Sequence, residues 1–311
     1  MVRIEAIRRR PENFGAFVEE VSEGLCTLYG EAAAEDYRQK APVAINASIT
    51  HPAVRAWIAA DPEEEGHARA MLVSAVREGM GHITFLHVLE PFAGQGLEAR
   101  LVESSVAQLR ADRVSGIAAE PVALCPLDLA ETFARLGFSR VERQLMVAPL
   151  YGGPLESSIL LDSVSAEPKD YNRVAEIIVE AYANHPGREL HAEVRTRASA
   201  ETFVRTAADG AYGPTRPGFM RVLRRAGRVV AAVVGCEAAP GVGFVLQIVV
   251  RPEAQAGGLG TLLLMELAQV YREAGLSSIA LGVTTNNPAL RLYERLGFRK
   301  KIPVDAFVWW R

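Results

Sequence analysis

One tetrapeptide occurs twice. Arg135-Leu-Gly-Phe138 returns 160 residues later as Arg295-Leu-Gly-Phe298, and an aromatic residue stands two positions before each arginine, Phe133 and Tyr293. Upstream of each copy comes a strand-like run, a proline, a glycine-rich turn and a helical pattern, over 82–106 and again over 243–271. Four shared residues alone are a weak signal. The same order of elements at nearly the same spacing predicts an internal duplication. Its period is domain-sized, so the chain reads as a tandem pair of like domains and not as a solenoid. The 311 residues suit two domains of ordinary size.

The break between the copies is expected at Pro149–Pro154, where proline and glycine interrupt any regular element. This gives domains 1–150 and 158–311 with a linker at about 150–157. In the second domain a strand is expected at 158–165, a helix at 170–183 and a shorter helix at 200–208. A hairpin over 219–225 and 228–237 would turn at Ala226-Gly227. A strand at 244–250, a helix at 259–273, a strand at 277–283, a helix at 287–296 and a last strand at 306–310 complete the domain. The pattern predicts an α+β fold, a mixed sheet covered by helices.

Between the strand ending at Val250 and the helix from Leu259 lies Gln255-Ala-Gly-Gly-Leu-Gly260. A strand feeding a glycine-rich turn into a helix N-terminus presents free N–H groups and a favourable dipole to an anion. Two phosphate motifs are excluded here. A P-loop needs Gly-Lys-Ser/Thr, whereas Thr261 follows Gly260 directly, and a GxGxxG fingerprint needs glycine where Leu263 stands.

What remains, Gln-x-x-Gly-x-Gly, resembles the acyl-CoA pyrophosphate loop of the GNAT N-acetyltransferase superfamily. The resemblance continues in Asn286 and in Tyr293-Glu-Arg-Leu-Gly-Phe298, at the family's distances. It is carried by about 220–300 and extends over 158–311. It implies two tandem GNAT-like domains, each a mixed, mostly antiparallel sheet with helices on both faces. It further implies an acetyl-CoA-dependent N-acetyltransferase. Backbone N–H groups of Gln255, Ala256, Gly257, Gly258, Leu259, Gly260 and Thr261 would hold the CoA pyrophosphate. Ile248, Val249 and Val250 would pair with the pantetheine amides, Asn286 would bond the pantetheine arm, and Tyr293 would sit at the sulfur.

In such chemistry a neutral amine attacks a thioester, a strand N–H near Val250 receives the developing oxyanion, and Tyr293 assists the leaving thiolate. An alkylamine is protonated at neutral pH, so a base is needed. Glu237, at the end of the preceding strand, is the expected base, with a solvated strand-end charge as the alternative. Tyr182, His185, His191, Arg188 and Arg195 cluster where the family places its acceptor. The two histidines have no metal-ligand spacing, and no metal is expected.

The N-terminal copy departs from the pattern. With Gly96 aligned to Gly258, Ala93 stands for Gln255, Glu98 for Gly260, Pro126 for Asn286 and Phe133 for Tyr293. A carboxylate in an anion cradle is repulsive, so this copy reads as degenerate. Residues 1–157 hold 22 acidic and 15 basic side chains against 15 and 19 in 158–311, which also puts an anionic ligand in the second half. The net charge of −3 gives no support to nucleic-acid binding. No apolar stretch is long enough to span a bilayer, no secretory leader is expected, and Cys26, Cys125 and Cys236 read as reduced, buried thiols of a cytoplasmic protein. The expected partner is a small-molecule or peptide amine, in a monomeric pseudo-dimer or a homodimer. A longer acyl donor and a non-catalytic acyl-CoA-binding or regulatory module are the alternatives.

Overall fold

The structure, a computed structural model, describes residues 2–77, 79–120, 129–157, 159, 162–183, 188, 192–255 and 257–311. The chain divides into two compact units, 1–142 with 304–311, and 143–303.

The first unit contains β1 (Arg3–Ile7), α1 (Phe14–Tyr29), α2 (Glu31–Ile49), β2 (Val54–Ala60), β3 (Ala68–Arg77), β4 (Met80–Val88), α3 (Leu97–Ala111), β5 (Gly116–Ala119), α4 (Ala130–Arg135) and β6 (Ser139–Val141). The second contains β7 (Arg143–Pro149), β8 (Val164–Ser165), α5 (Tyr171–Ala181), α6 (Arg197–Ala208), β9 (Met220–Arg225), β10 (Arg228–Ala239), β11 (Val242–Val250), α7 (Leu259–Glu273), β12 (Ser278–Thr284), α8 (Leu290–Arg295) and β13 (Arg299–Pro303). The last strand, β14 (Ala306–Trp310), belongs to the first unit.

Each unit holds a seven-stranded sheet, in the orders β1-β2-β3-β4-β5-β14-β6 and β13-β7-β12-β11-β10-β9-β8. Among the described residues only β4–β5 and β11–β12 pair in parallel. The mixed, mostly antiparallel α+β architecture is thus present twice. In the second unit α5 and α6 bury Val174, Ile177, Ile178, Phe203 and Val204 on one face of the sheet, and α7 buries Leu263, Leu264, Leu267 and Tyr271 on the other. Both faces are covered, so β10 is apolar almost throughout. The hairpin turns at Ala226 (φ 49°) and Gly227 (φ 77°), two left-handed residues that match the twist of the flanking strands.

The compact units exchange a strand relative to the expected division at 1–150 and 158–311. β7, expected to close the first domain, pairs with β12 and β13. β14, expected in the second domain, lies between β5 and β6 and stacks Phe307 on Phe133 with centroids 4.3 Å apart. Nor is 150–157 a solvated linker. Leu150 and Leu155 are fully buried in the second core, and Arg272 of α7 donates to the Leu155 and Ser157 carbonyls.

The duplication is visible in irregularities. The β10–β11 register steps from Val234↔Gln247 to Gly235↔Val245, leaving Leu246 as a bulge; the β3–β4 register steps from Val73↔Phe85 to Ser74↔Ile83, leaving Thr84. The two bulges are 162 residues apart, and so are the left-handed glycines that start α3 and α7, Gly96 (φ 70°) and Gly258 (φ 75°). Tyr271 fixes the second bulge. Its hydroxyl donates to the Phe244 carbonyl (2.9 Å) and lies against Gly235, and its ring lies against Gly243; an added Cβ would come within 2.1 Å of the hydroxyl at Gly235 and 2.2 Å of the ring at Gly243.

Candidate functional site

Beyond the bulge, β11 and β12 part. Their parallel pairing ends at Val245↔Leu281, so among the described residues 247–250 keep a ladder with β10 only. Their other edge is open to an added strand or an extended ligand. Ile248 and Val250 lie toward the α7 core and Val249 toward α5. Past Val250, Gln255 donates from Nε2 back to the Val250 carbonyl (3.2 Å) and holds the turn against the strand end. Ala256 lies outside the described residues.

The turn delivers an open helix end. Gly258 is the N-cap of α7, no side chain caps it, and the first-turn N–H groups have no intrahelical acceptor. The glycines leave room above them. A Cβ on Gly258 would meet nothing within 4 Å, and on Gly257 and Gly260 it would touch only Ala254 O at 3.6 Å and Val250 Cγ2 at 3.8 Å. Packing within the chain therefore does not demand glycine at 257 or 260. Only Gly258 needs it for its backbone angle. A ligand approaching the main chain is what the missing side chains favour, and the donors and the dipole fit a pyrophosphate.

Tyr293 lies in α8, 7% exposed and packed near Phe298. Burial pushes its phenol up to about 12, so it stays a neutral donor across the physiological range. Asn286 is exposed at the head of the α8 segment, where the Asn287 side chain accepts the Ala289 N–H (2.8 Å).

Tyr182 joins the site from the opposite face. It caps α5 and donates from Oη to Gln247 Oε1 on β11 (2.9 Å). Burial pushes it up to about 12, with Glu193 and Tyr293 adding to the rise and Gln247 and Arg143 opposing it. α5 is also stapled to the strand end. Arg251, 5% exposed, pairs through its guanidinium with Glu176 (2.7 Å) and Glu180. The Tyr182–Gln247 bond was not expected, because it joins residues 65 apart whose helix and strand carry no local signal for each other.

Glu237 does not join these groups. It pairs with Gly243 at the hairpin end of β11, whereas Val250 pairs with Ala231. Six residues of β10 separate the two positions, about 20 Å at strand rise. Its carboxylate accepts from Arg216 (3.1 Å) and from the Gly241 N–H (3.0 Å), which closes the β10–β11 turn. The structure gives it the role of a hairpin clasp, away from the open strand edge.

Among the other expected residues, His185, His191, Cys125 and Pro126 lie outside the described residues. Arg188 donates to the Ala183 carbonyl (3.1 Å). Cys236 is buried and donates to Tyr212 O, but Cys26 is half-exposed against Glu31, which corrects the expectation of a buried thiol there. Among the described residues no group of three or more metal-ligating side chains occurs, and no helix is long and apolar enough to cross a membrane.

The first unit repeats the frame with a carboxylate at the helix start. β4 and β5 also part after four pairs, at Ile83↔Ala119. Glu98 stands in the first turn of α3, and its Oε2 is buried with no hydrogen-bond partner among the described residues. Phe133 is fully buried between Phe138 and Phe307.

Comparison with known proteins agrees with this geometry. Residues 172–298 match the profile of the Acetyltransferase (GNAT) family. Mycothiol acetyltransferases of Rhodococcus opacus and Actinosynnema mirum are 29% and 30% identical over 174 and 176 residues. These matches cover 53% and 54% of this chain and 56% and 55% of the relatives, so the chain spans about half the length of the curated relatives it matches. A GCN5-related N-acetyltransferase from Sphaerobacter thermophilus shares the fold with a TM-score of 0.67 at 17% identity, over 98% of this chain and 95% of that one. A tandem GNAT protein from the clavulanic acid biosynthesis pathway does so with a TM-score of 0.60 at 17% identity, over 98% of both chains. Residues 172–298 thus carry the sequence profile of the Acetyltransferase (GNAT) family, and the chain as a whole has the fold of a tandem GNAT protein.

Proposed function

We propose that the chain is an acyl-CoA-dependent N-acetyltransferase with one active site, in the second unit, moving an acetyl group from acetyl-CoA to a primary amine. The observation that carries this reading is the turn at 257–260. Its glycines leave open space over an uncapped helix N-terminus, at the end of a strand whose outer edge lacks a partner. In this reading the N–H groups from Gln255 to Thr261 hold the pyrophosphate, the open edge of Ile248, Val249 and Val250 takes the pantetheine arm, and Asn286 bonds it.

Tyr293 donates a hydrogen bond to the sulfur as the C–S bond breaks and the N–C bond forms. With burial raising its phenol to about 12 and a thiol ordinarily near 8.5, full transfer of its proton is uphill. Hydrogen bonding is the greater part of its contribution. The amine proton leaves to solvent water, since Glu237 is engaged at the hairpin turn. The name of the curated relatives makes the acceptor of mycothiol acetyltransferase one of the amines to be screened.

The test is calorimetry of acetyl-CoA binding to Gly258→Glu and Gly260→Glu variants. Both are expected to lose binding with the fold retained. Gly260→Glu is the informative one, because it recreates in the second unit the Glu98 arrangement of the first. Unchanged affinity in that variant removes the pyrophosphate from this turn.

A further inference from the structure

β13 is the terminal strand of its sheet. It pairs with β7, and among the described residues its outer backbone edge has no partner. The strand carries Arg299, Lys300 and Lys301, all exposed. Its register with β7 steps from Lys300↔Met146 to Ile302↔Leu145, so Lys301 is the extra residue of a bulge. α8, which leads into β13, turns two more cations outward. Arg291 and Arg295 stand four residues apart, on the face opposite the buried Tyr293, and both are exposed. The stretch 291–303 thus holds five basic residues and one acidic residue, Glu294.

None of the five cations has a hydrogen bond or an ion pair among the described residues. The rest of the unit treats its basic side chains differently. Arg216, Arg224, Arg225 and Arg251 each pair with a carboxylate, and of the other described cations of this unit only Arg228 is likewise unpaired. Charge and a bulge on β13 keep the edge from pairing with another of its kind. That protection gives no reason for the arginines of α8, which lie on no edge. Arg295 suits the negative end of the helix, but Arg291 stands in the first turn, where a cation is unfavourable.

We infer that the α8–β13 face docks an acidic, extended segment of another polypeptide, which adds to β13 as a further strand. The backbone of that segment takes the N–H and C=O groups of the free edge, and its carboxylates meet Arg299, Lys300 and Lys301. Three residues separate Arg295 from Arg299, so the α8 pair adds its attraction over a span that low salt leaves unscreened. The cations that repel a second β13 admit a strand of opposite charge. Other polyanions fit less well. A nucleic acid has no alternating backbone donors and acceptors to meet a strand edge. A bilayer surface is held by apolar side chains, and no large apolar side chain is exposed in 291–303.

Fluorescence anisotropy on the full chain tests this with a labelled, end-capped peptide of alternating glutamate and valine. The controls are the same peptide with lysine for glutamate, one with proline for valine, oligothymidylate, and phosphatidylserine vesicles. Proline keeps the charge but removes amide N–H groups that an added strand needs. At about 20 mM salt the acidic peptide is expected to bind about tenfold or more tightly than each control, and about 300 mM salt is expected to weaken it. Hydrogen exchange read by mass spectrometry is expected to show new protection within 299–303. Lys300→Glu combined with Lys301→Glu should weaken the peptide by about tenfold or more, and Arg291→Gln combined with Arg295→Gln by about threefold with a flatter salt dependence. Arg228→Glu, at the other unpaired cation, should leave it unchanged. No binding at about 20 mM salt overturns the assignment, as does equal affinity for the lysine or proline peptide. So does binding that survives the charge reversal in β13 or brings no protection there. Tighter binding of oligothymidylate or of the vesicles assigns the face to nucleic acid or lipid instead.

Discussion

Cutting the chain at residue 158 is expected to destroy the second unit, and cutting it at 143 to spare it. A 158–311 fragment follows the apparent boundary in the sequence but lacks β7, which pairs with seven residues of β12 and with β13 on its other side. It also loses Met146, Leu150 and Leu155, each 1% exposed or less in the core that packs α7. Truncating one such side chain to alanine costs about 2–5 kcal/mol, so the three together amount to about 6–15 kcal/mol before any ladder bond is counted. That equals the whole stability of an ordinary domain, about 5–15 kcal/mol. β14, which the fragment keeps, would bring Phe307 and the two C-terminal tryptophans without their sheet. A 143–303 fragment contains all seven strands of its sheet. Urea unfolding followed by circular dichroism on both fragments checks this. A sigmoidal transition is expected for 143–303 and none for 158–311. A cooperative 158–311 of comparable midpoint would show that β7 contributes little and would refute the reasoning.

Three further outcomes are expected. Tyr293→Phe should lower kcat by about 100-fold or more with acetyl-CoA affinity unchanged, measured by steady-state CoA release and calorimetry. Because burial holds the Tyr293 phenol at about 12, the protonated donor persists below that pH. The rate should therefore rise with pH as the amine deprotonates, without a descending limb near 10. A limb there that vanishes in Tyr293→Phe would contradict the placement of that phenol. Acetyl-CoA should bind with a stoichiometry of one per chain, since the Glu98 carboxylate stands in the first turn of α3, where a bound anion would be repelled; a calorimetric value near two would show that the carboxylate does not block it.

The duplication was legible because its landmarks are glycines at forced backbone angles. Gly96 and Gly258 sit at left-handed helix starts, and Gly137 and Gly297 at left-handed helix ends. Such positions leave a mark in the residue type itself. The exchange of β7 and β14 leaves none. Both are short apolar strands with buried interiors, and a strand's composition tells that it is covered, not which sheet covers it. Glu237 misled for a similar reason. A carboxylate at a strand end looks the same whether it faces an open edge or clasps a turn, and only the register Glu237↔Gly243 separates the two. The Tyr182–Gln247 bond was invisible as well, because it joins a helix end to a strand 65 residues away, and where β11 parts from β12 depends on where their parallel pairing stops.

The Arg251 staple has a consequence for how such a site can change. One guanidinium at the root of the glycine turn grips two carboxylates of α5, and α5 carries Tyr182 at its end. The part that would grip the donor and the part that would greet the acceptor are therefore a single mechanical piece. A displacement of the turn must drag the helix with it or break a buried ion pair. Swapping the 252–261 segment for that of a relative would thus leave the staple in place, because Arg251, Glu176 and Glu180 all lie outside it. A graft that began one residue earlier and replaced Arg251 would take that cation from both carboxylates, and the helix that carries Tyr182 would lose its anchor.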